Sequence, residues 1–304
     1  MKKLLALTAL LFAFPLLAEE GTKIQLMAVP GYVNRILVPV LPRTVNTFRI
    51  ATSPIDGVIS APAGYKIETR LGGVSITAPA GETSGYAHVR IGGRDVTLTL
   101  VNLVPYSNVK SGFLEGYRMG EYRLLPMKGL ASYERPKGFM RLNNTNRDLW
   151  VSDHYRMRDF QCKLDGNSKF LILRTEALVK LEVLQHELET KKGVHFDRFT
   201  IMSGYRTPFY NSMIGNETSY SRHLYGDAMD VYIDMDHNGS MDDVNGDGRI
   251  DKNDAKFLLS VAEQIDNSKE WGWLKGGAGV YNATHAHGPF LHMDARGYVA
   301  RWGI

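Results

Sequence analysis

Three separated stretches in the last third of the chain carry side chains suited to holding a metal. Ser221 to Asp230 (SRHLYGDAMD) offers His223 and Asp230, and Gly288 to Asp294 (GPFLHMD) offers His292. Between them runs the glycine-rich stretch Gly276-Gly277-Ala278-Gly279-Val280-Tyr281. Zinc favours imidazole nitrogen and carboxylate oxygen in a tetrahedral site, and a catalytic site leaves one position open for water. Two His and one Asp meet that requirement, and the chemistry would be hydrolysis by metal-activated water. By spacing alone, a hydrogen-bonded structural role is the commoner fate of such a His.

A second group of residues reads as a calcium loop. Asp243, Asn245, Asp247 and Asp254 stand at the first, third, fifth and twelfth positions of such a loop. Gly248 makes its sharp turn, the Arg249 carbonyl would be the ligand at the seventh position, and Ile250 is expected to pin the loop. Asp254 stands where a bidentate Glu is usual, which is closer to a dockerin-type loop than to a sensor. Asp234, Asp236 and Asn238, followed by Gly239, begin a second, overlapping loop that Asp242 or Asp243 would complete. The ion would be structural, stiffening the acidic excursion 234–254 beside the Asp230 strand. The alternative is a solvated acidic turn.

The strings SGYRT (203–207), SRHLYGDAMDV (221–231) and HGPFLHMD (287–294) resemble the M15 family of zinc D,D-peptidases, especially its peptidoglycan-hydrolase branch. ARGYVARWG (295–303) also resembles that branch's ending. The likeness covers about Asp153 to Ile304, with several motifs in the family's order, and leaves the N-terminal half outside it. It implies an α+β fold of the hedgehog/D,D-peptidase type and a zinc site made by His223, Asp230 and His292. It also implies an arginine beside the scissile carbonyl, here Arg206, where a fixed cation stabilises a developing oxyanion. The substrate would be peptidoglycan stem peptides, cut at a bond involving a D-amino acid by carboxypeptidase or endopeptidase action.

One feature departs from the family. Some members place a Glu or His shortly before the last ligand as general base, but here Phe290 stands two before His292. No Glu lies between Gly272 and His292. Asp294 and His287 are equal candidates for the base, with His285 behind them, and Asp294 would alternatively orient His292. That departure also suits a second function, a non-catalytic, metal-containing wall-binding module. An adhesion or scaffold protein built on the calcium loop would leave the zinc residues unexplained.

These residues need elements to hold them. Asp230 opens the run Val231-Tyr232-Ile233, expected as a central strand, and His292 follows Phe290-Leu291 at the end of another. Gly226 and Ala228 are small enough for the preceding loop to approach closely. Ala177, Leu178, Leu181, Leu184 and Leu188 recur at helical spacing, with Gly193 as the stop. Phe199 to Met202 reads as a short strand leading into the Arg206 motif. A second helix is expected from near Asp254, burying Phe257, Leu258, Val261 and Ile265. Upstream, Lys66–Thr77 and Val96–Val104 alternate in strand fashion between Gly-Gly and Pro-Ala-Gly turns. His88 is expected there as a strand residue. The resulting organisation is a signal peptide at 1–18, a small all-β, sandwich-like domain at 20–106 and a connector at 107–152. The zinc peptidase domain follows at 153–304, with the calcium-loop insertion at 234–254.

Composition narrows the setting. Lys2 and Lys3, the apolar run Leu4 to Leu17 and Ala18 ahead of Glu19 read as a secretory signal. That run is short of the roughly 20 residues of a membrane span. Export with cleavage near Ala18 is expected, the periplasm being favoured, with no stable membrane insertion afterwards. Of 36 basic residues, losing Lys2 and Lys3 leaves 34 against 32 acidic ones. A chain so near neutrality implies no nucleic-acid partner. Cys162 is the only cysteine, so an intramolecular disulfide is impossible and a buried, inert thiol is expected.

Overall fold

Short alternating segments divided by glycine turns fold as strands through the first half of the chain. The computed structural model describes residues 20–166 and 169–304; the expected signal peptide lies outside them. The strands are β1 (Lys23–Leu26), β2 (Arg35–Val40), β3 (Val45–Ile50), β4 (Ile55–Ser60), β5 (Lys66–Arg70), β6 (Gly73–Thr77), β7 (Ser84–Ile91) and β8 (Arg94–Pro105). A short hairpin, β9 (Phe113–Leu114) with β10 (Tyr117–Arg118), precedes β11 (Gly138–Leu142) and β12 (Lys169–Leu171). One sheet has the order β1-β3-β6-β5. A second runs β12-β11-β8-β7-β4, and β2 joins it in parallel with β8. Buried aliphatic residues such as Val38, Phe48, Ile76, Val89 and Leu100 form the core of this half. His88 sits on β7 as an exposed strand residue, and Cys162 is buried.

The second sheet runs across both expected boundaries, at 106/107 and 152/153. β11, from the connector, pairs with β8 through Phe139↔Val104 and Met140↔Leu103. β12, from the segment expected to be zinc domain, pairs with β11 through Met140↔Leu171. Phe139, Met140, Phe170 and Leu171 are all buried, so these strands complete the β core. They are too short to show a period of their own.

The C-terminal half is mixed: α1 (Thr175–Glu187), β13 (Thr200–Ser203), α2 (Pro208–Met213), β14 (Ala228–Tyr232), α3 (Lys252–Asn267), β15 (Gly277–Tyr281), β16 (Phe290–Asp294) and β17 (Ala300–Trp302). Its sheet has the order β13-β14-β16-β15-β17, antiparallel except between β15 and β17. The whole chain is thus α+β. Helix α1 is buried around most of its circumference, which is the behaviour of a helix covered on several sides. Several of its buried polar groups have partners. Lys180 Nζ donates to Asp266 Oδ1 at 2.8 Å, Glu182 Oε2 meets His154 Nδ1 at 2.6 Å, and Gln185 Nε2 donates to the Asp197 carbonyl. Thr175 Oγ1 donates to the Leu37 carbonyl, tying α1 to β2. The helix ends through a π-helical turn, Leu188–Lys192, at Gly193 in the left-handed region. Helix α3 starts behind Asp251, whose carboxylate accepts from Asn253 N, and buries Leu258, Val261 and Ile265.

Candidate metal centre

The pairing of β14 with β16 brings Asp230 opposite His292. Strand β14 begins at Ala228, two residues before its expected start, so Asp230 lies mid-strand; His292 likewise lies in the middle of β16. His223 arrives on the turn Arg222–Tyr225, which ends at Gly226 in the left-handed region. A Cβ on Gly226 would lie 2.5 Å from the Ile172 backbone, so only glycine lets this loop pack there.

The three side chains converge on one point. His292 Nδ1 is 2.8 Å from Asp230 Oδ1, His223 Nε2 is 3.3 Å from the same oxygen, and the two nitrogens are 3.2 Å apart. Atoms held about 2.0–2.1 Å from a tetrahedral centre stand roughly 3.3 Å from one another, so this triangle has the dimensions of a zinc face. All three residues are buried. The donor set, two imidazole nitrogens and one carboxylate oxygen, fits a borderline-soft divalent ion.

Outer partners orient the ligands. His223 Nδ1 donates to the Gly204 carbonyl at 2.7 Å, which leaves Nε2 as the free lone pair. Asp294 Oδ2 stands 3.5 Å behind His292 Nε2. Arg206 Nη2 donates to Asp230 Oδ2 at 2.5 Å, and its Nε donates to Ser203 Oγ. Burial pushes the His223 imidazole down towards neutrality. Burial also opposes charge on His292, but its hydrogen bond to Asp230 and the nearby Asp294 carboxylate outweigh it and raise that imidazole to about 9. Burial likewise works against the Asp230 carboxylate, yet His223 and His292 together hold it well below its ordinary value.

The glycine-rich strand has a packing reason. A Cβ on Gly276 would lie 1.8 Å from the Asp294 carbonyl, and one on Gly277 would lie 2.6 Å from the Arg296 guanidinium. A Cβ on Gly279 would lie 2.1 Å from the Trp302 indole, whose ring in turn stands 5.0 Å from that of His292. Asp294, Arg296 and Trp302 therefore lie directly on the backbone of β15.

The metal triangle opens into a cleft of about 730 Å³, lined also by Arg206, Glu217, His287, Phe290 and Trp302. Of the two equal candidates for the base, only His287 lines it. Its Nδ1 donates to the Gly288 carbonyl, leaving Nε2 as the basic atom. Asp294 is buried and engaged elsewhere: it takes both Arg296 Nε contacts at 2.9 Å and accepts from Gly277 N at 2.8 Å. His285 is exposed on the same loop as His287. Glu217, Arg296 and Trp302 were not singled out by sequence; the last two stand in the 295–303 ending, where only the string as a whole was informative.

The connector braces the site. Arg222 is buried in a pair with Asp227, donates to the Ser132 carbonyl and stacks 4.1 Å from the Tyr133 ring centre. Tyr122 OH bonds Tyr205 OH and donates to the Leu224 carbonyl, beside His223.

The acidic excursion treats its two loops differently. Asp234, Asp236 and Asp242 present carboxylate oxygens close enough together to hold an ion. Asp234 also accepts from Asn238 N and Gly239 N, and Met241 is fully buried beneath this loop. In the Asp243–Asp254 loop no such group of three forms among the described residues. Asp243, Asn245 and Asp247 accept backbone N–H groups of their own loop, Arg249 included as the donor to Asp247. Asp254 is instead fully buried in the α3 capping box, accepting from Val244 N and Asp251 N. Ile250, expected to pin the loop, is half exposed, and Met241 has that role in the other loop.

Set against models of known protein families, curated proteins and solved structures, the chain matches none.

Proposed function

We propose that this protein is an exported zinc peptidase of the M15 type that cuts peptidoglycan stem peptides at a bond involving a D-amino acid. The observation that carries this reading is the triangle of His223 Nε2, Asp230 Oδ1 and His292 Nδ1, with sides of 2.8–3.3 Å, at the floor of an open cleft. Zinc in such a site supplies Lewis acidity and water activation near neutral pH. The hedgehog/D,D-peptidase fold belongs to the same proposal, supported by the strand pairing that sets Asp230 against His292.

The chain's own groups divide the remaining work. His287 lines the cleft and spends its Nδ1 on the Gly288 carbonyl, so its Nε2 takes the proton of the attacking water and returns it to the leaving amine. Arg206 lies at the cleft wall, anchored by Ser203 and Asp230, and its charge stabilises the developing oxyanion. Asp294 is a positioning residue that holds His292 from behind. A calcium ion in the acidic excursion would stiffen the support of His287, because Ser240 packs on Gly288: a Cβ there would lie 2.6 Å from Ser240 Oγ.

Digestion of purified peptidoglycan by residues 20–304, with products read by mass spectrometry, tests the reading. Chelator-sensitive release of D-alanine or of split cross-links is expected, and it should disappear in a folded His223→Ala protein. Intact muropeptides after incubation with folded, zinc-loaded protein would rule the peptidase out in favour of a wall-binding module.

A further inference from the structure

Beside the metal cleft lies a second hollow of about 800 Å³, and the two share Asn216, Glu217, Thr218 and Tyr220 along their common wall. Its far wall is Glu121–Leu125, from the connector and so outside the half that resembles a known family. That segment is fastened at the shared wall, since Arg123 Nη2 donates to Ser219 Oγ at 2.8 Å and Tyr220 OH donates to the Leu125 carbonyl at 3.0 Å.

The lining has the makings of a ligand site. Asn211, 3% exposed, turns its Nδ2 to the Asn216 carbonyl at 2.7 Å, which fixes the orientation of the amide. Its Oδ1 is then buried in the wall with no partner. An unpaired buried acceptor is costly, about 1–3 kcal/mol, which marks this wall as one not optimised for stability alone. Glu121, Glu217 and Arg123 place both signs of charge around the hollow. Leu124 and Leu125, 79% and 78% exposed among the described residues, add an apolar rim. Clefts that hold drug-sized ligands run from roughly 300 to 1,000 Å³, so each hollow takes a short peptide and the two in series take a longer one.

We infer that the second hollow is a peptide subsite continuous with the metal cleft, and that its occupant is the second strand of a cross-linked stem peptide. This rests on the peptidase reading and deepens it. The amine that forms the cross-link is an amide there, but a stem-peptide residue whose own ammonium and carboxylate stay free meets Glu121 or Glu217 on one side and Arg123 on the other. Small side chains of the strand pack on Leu124 and Leu125. A terminal dipeptide would leave all of these groups unused, so the subsite points to cross-link cleavage.

The test compares a stem-peptide monomer with the cross-linked dimer, using wild type, Arg123→Glu and Leu124→Asp; both substitutions are at exposed positions where folding should be kept. Calorimetric affinities of the metal-free proteins and kcat and KM of the zinc-loaded proteins are measured for each peptide. Wild type is expected to prefer the dimer. Each substitution should reduce that preference about five- to tenfold, the size of reversing one or two partly exposed contacts, and should act through Kd and KM with kcat held. Equal affinity of wild type for the two peptides, or losses that fall alike on monomer and dimer, would overturn the subsite while leaving the peptidase reading intact. A zinc-loaded wild type that cuts neither peptide would overturn both.

Discussion

At the scale of single residues, a metal ion held by His223, Asp230 and His292 would compete with protons for the same atoms. Without metal, His292 holds its proton up to about pH 9, whereas His223 is neutral and Asp230 ionised around neutrality. An ion must therefore displace the His292 proton. Its affinity should rise by up to about tenfold per pH unit as pH increases towards 9 and flatten above it. Calorimetry at pH 7.5 in buffers of differing ionisation enthalpy should find about one proton released per ion; none released, with affinity independent of pH, would contradict this protonation scheme. Asp294 stands 3.5 Å behind His292, where on the proposed function it holds the ring in place. Asp294→Asn keeps the acceptor for Gly277 N but removes the charge behind the imidazole. Zinc affinity should fall about 10–100-fold, measured by competition with a chromophoric chelator. An affinity unchanged in the folded variant would remove Asp294 from any positioning role.

Elements matter here through close approach of backbone. Strand β15 carries Gly277 and Gly279, with Gly276 just before it, because Asp294, Arg296 and Trp302 rest on this stretch, and Trp302 in turn lies beside His292. Gly279→Ala places a methyl 2.1 Å from the indole nitrogen, so the ring must move. Overpacking of this kind costs about 1–3 kcal/mol. Chemical denaturation should register that loss, and the changed tryptophan emission of the folded protein should report the displaced ring. A variant as stable as wild type would mean that β17 yields freely. Helix α1 makes a related point. Its covering on several sides follows from its place between β2, which it meets at Thr175, and β16, whose Asp294 carbonyl accepts from Lys180 Nζ at 2.9 Å.

Across the whole molecule, the N-terminal half is structurally tied to the half that carries the His223–Asp230–His292 triangle. Strand β12 has its pairing partner in the connector, α1 leans on β2, and Tyr122 and Tyr133 brace the turn that carries His223. A fragment comprising 153–304 should therefore fail to fold cooperatively, although it holds every residue of the metal triangle. Near-ultraviolet dichroism and limited proteolysis of 153–304 against 20–304 would show this. A compact, protease-resistant fragment that binds zinc as tightly as the longer chain would refute it.

The helix that stops at Gly193 and a second helix near Asp254 were legible in the sequence, because each depends on local spacing or on a local backbone requirement. The residues of the triangle were legible only through the resemblance of their motifs, since spacing alone favours a structural His. Tertiary structure alone decided the rest. Asp294 and His287 stood level as candidate bases until folding buried one behind His292 and turned the other to the cleft. The two acidic loops were likewise ranked by spacing, yet the capping demands of α3 took Asp254 out of its loop, and the carboxylates that converge are Asp234, Asp236 and Asp242. The strands that carry the β sheet past residue 106 were invisible for a similar reason. A strand of three to five residues has too few alternations to declare itself and is set by the neighbour it pairs with.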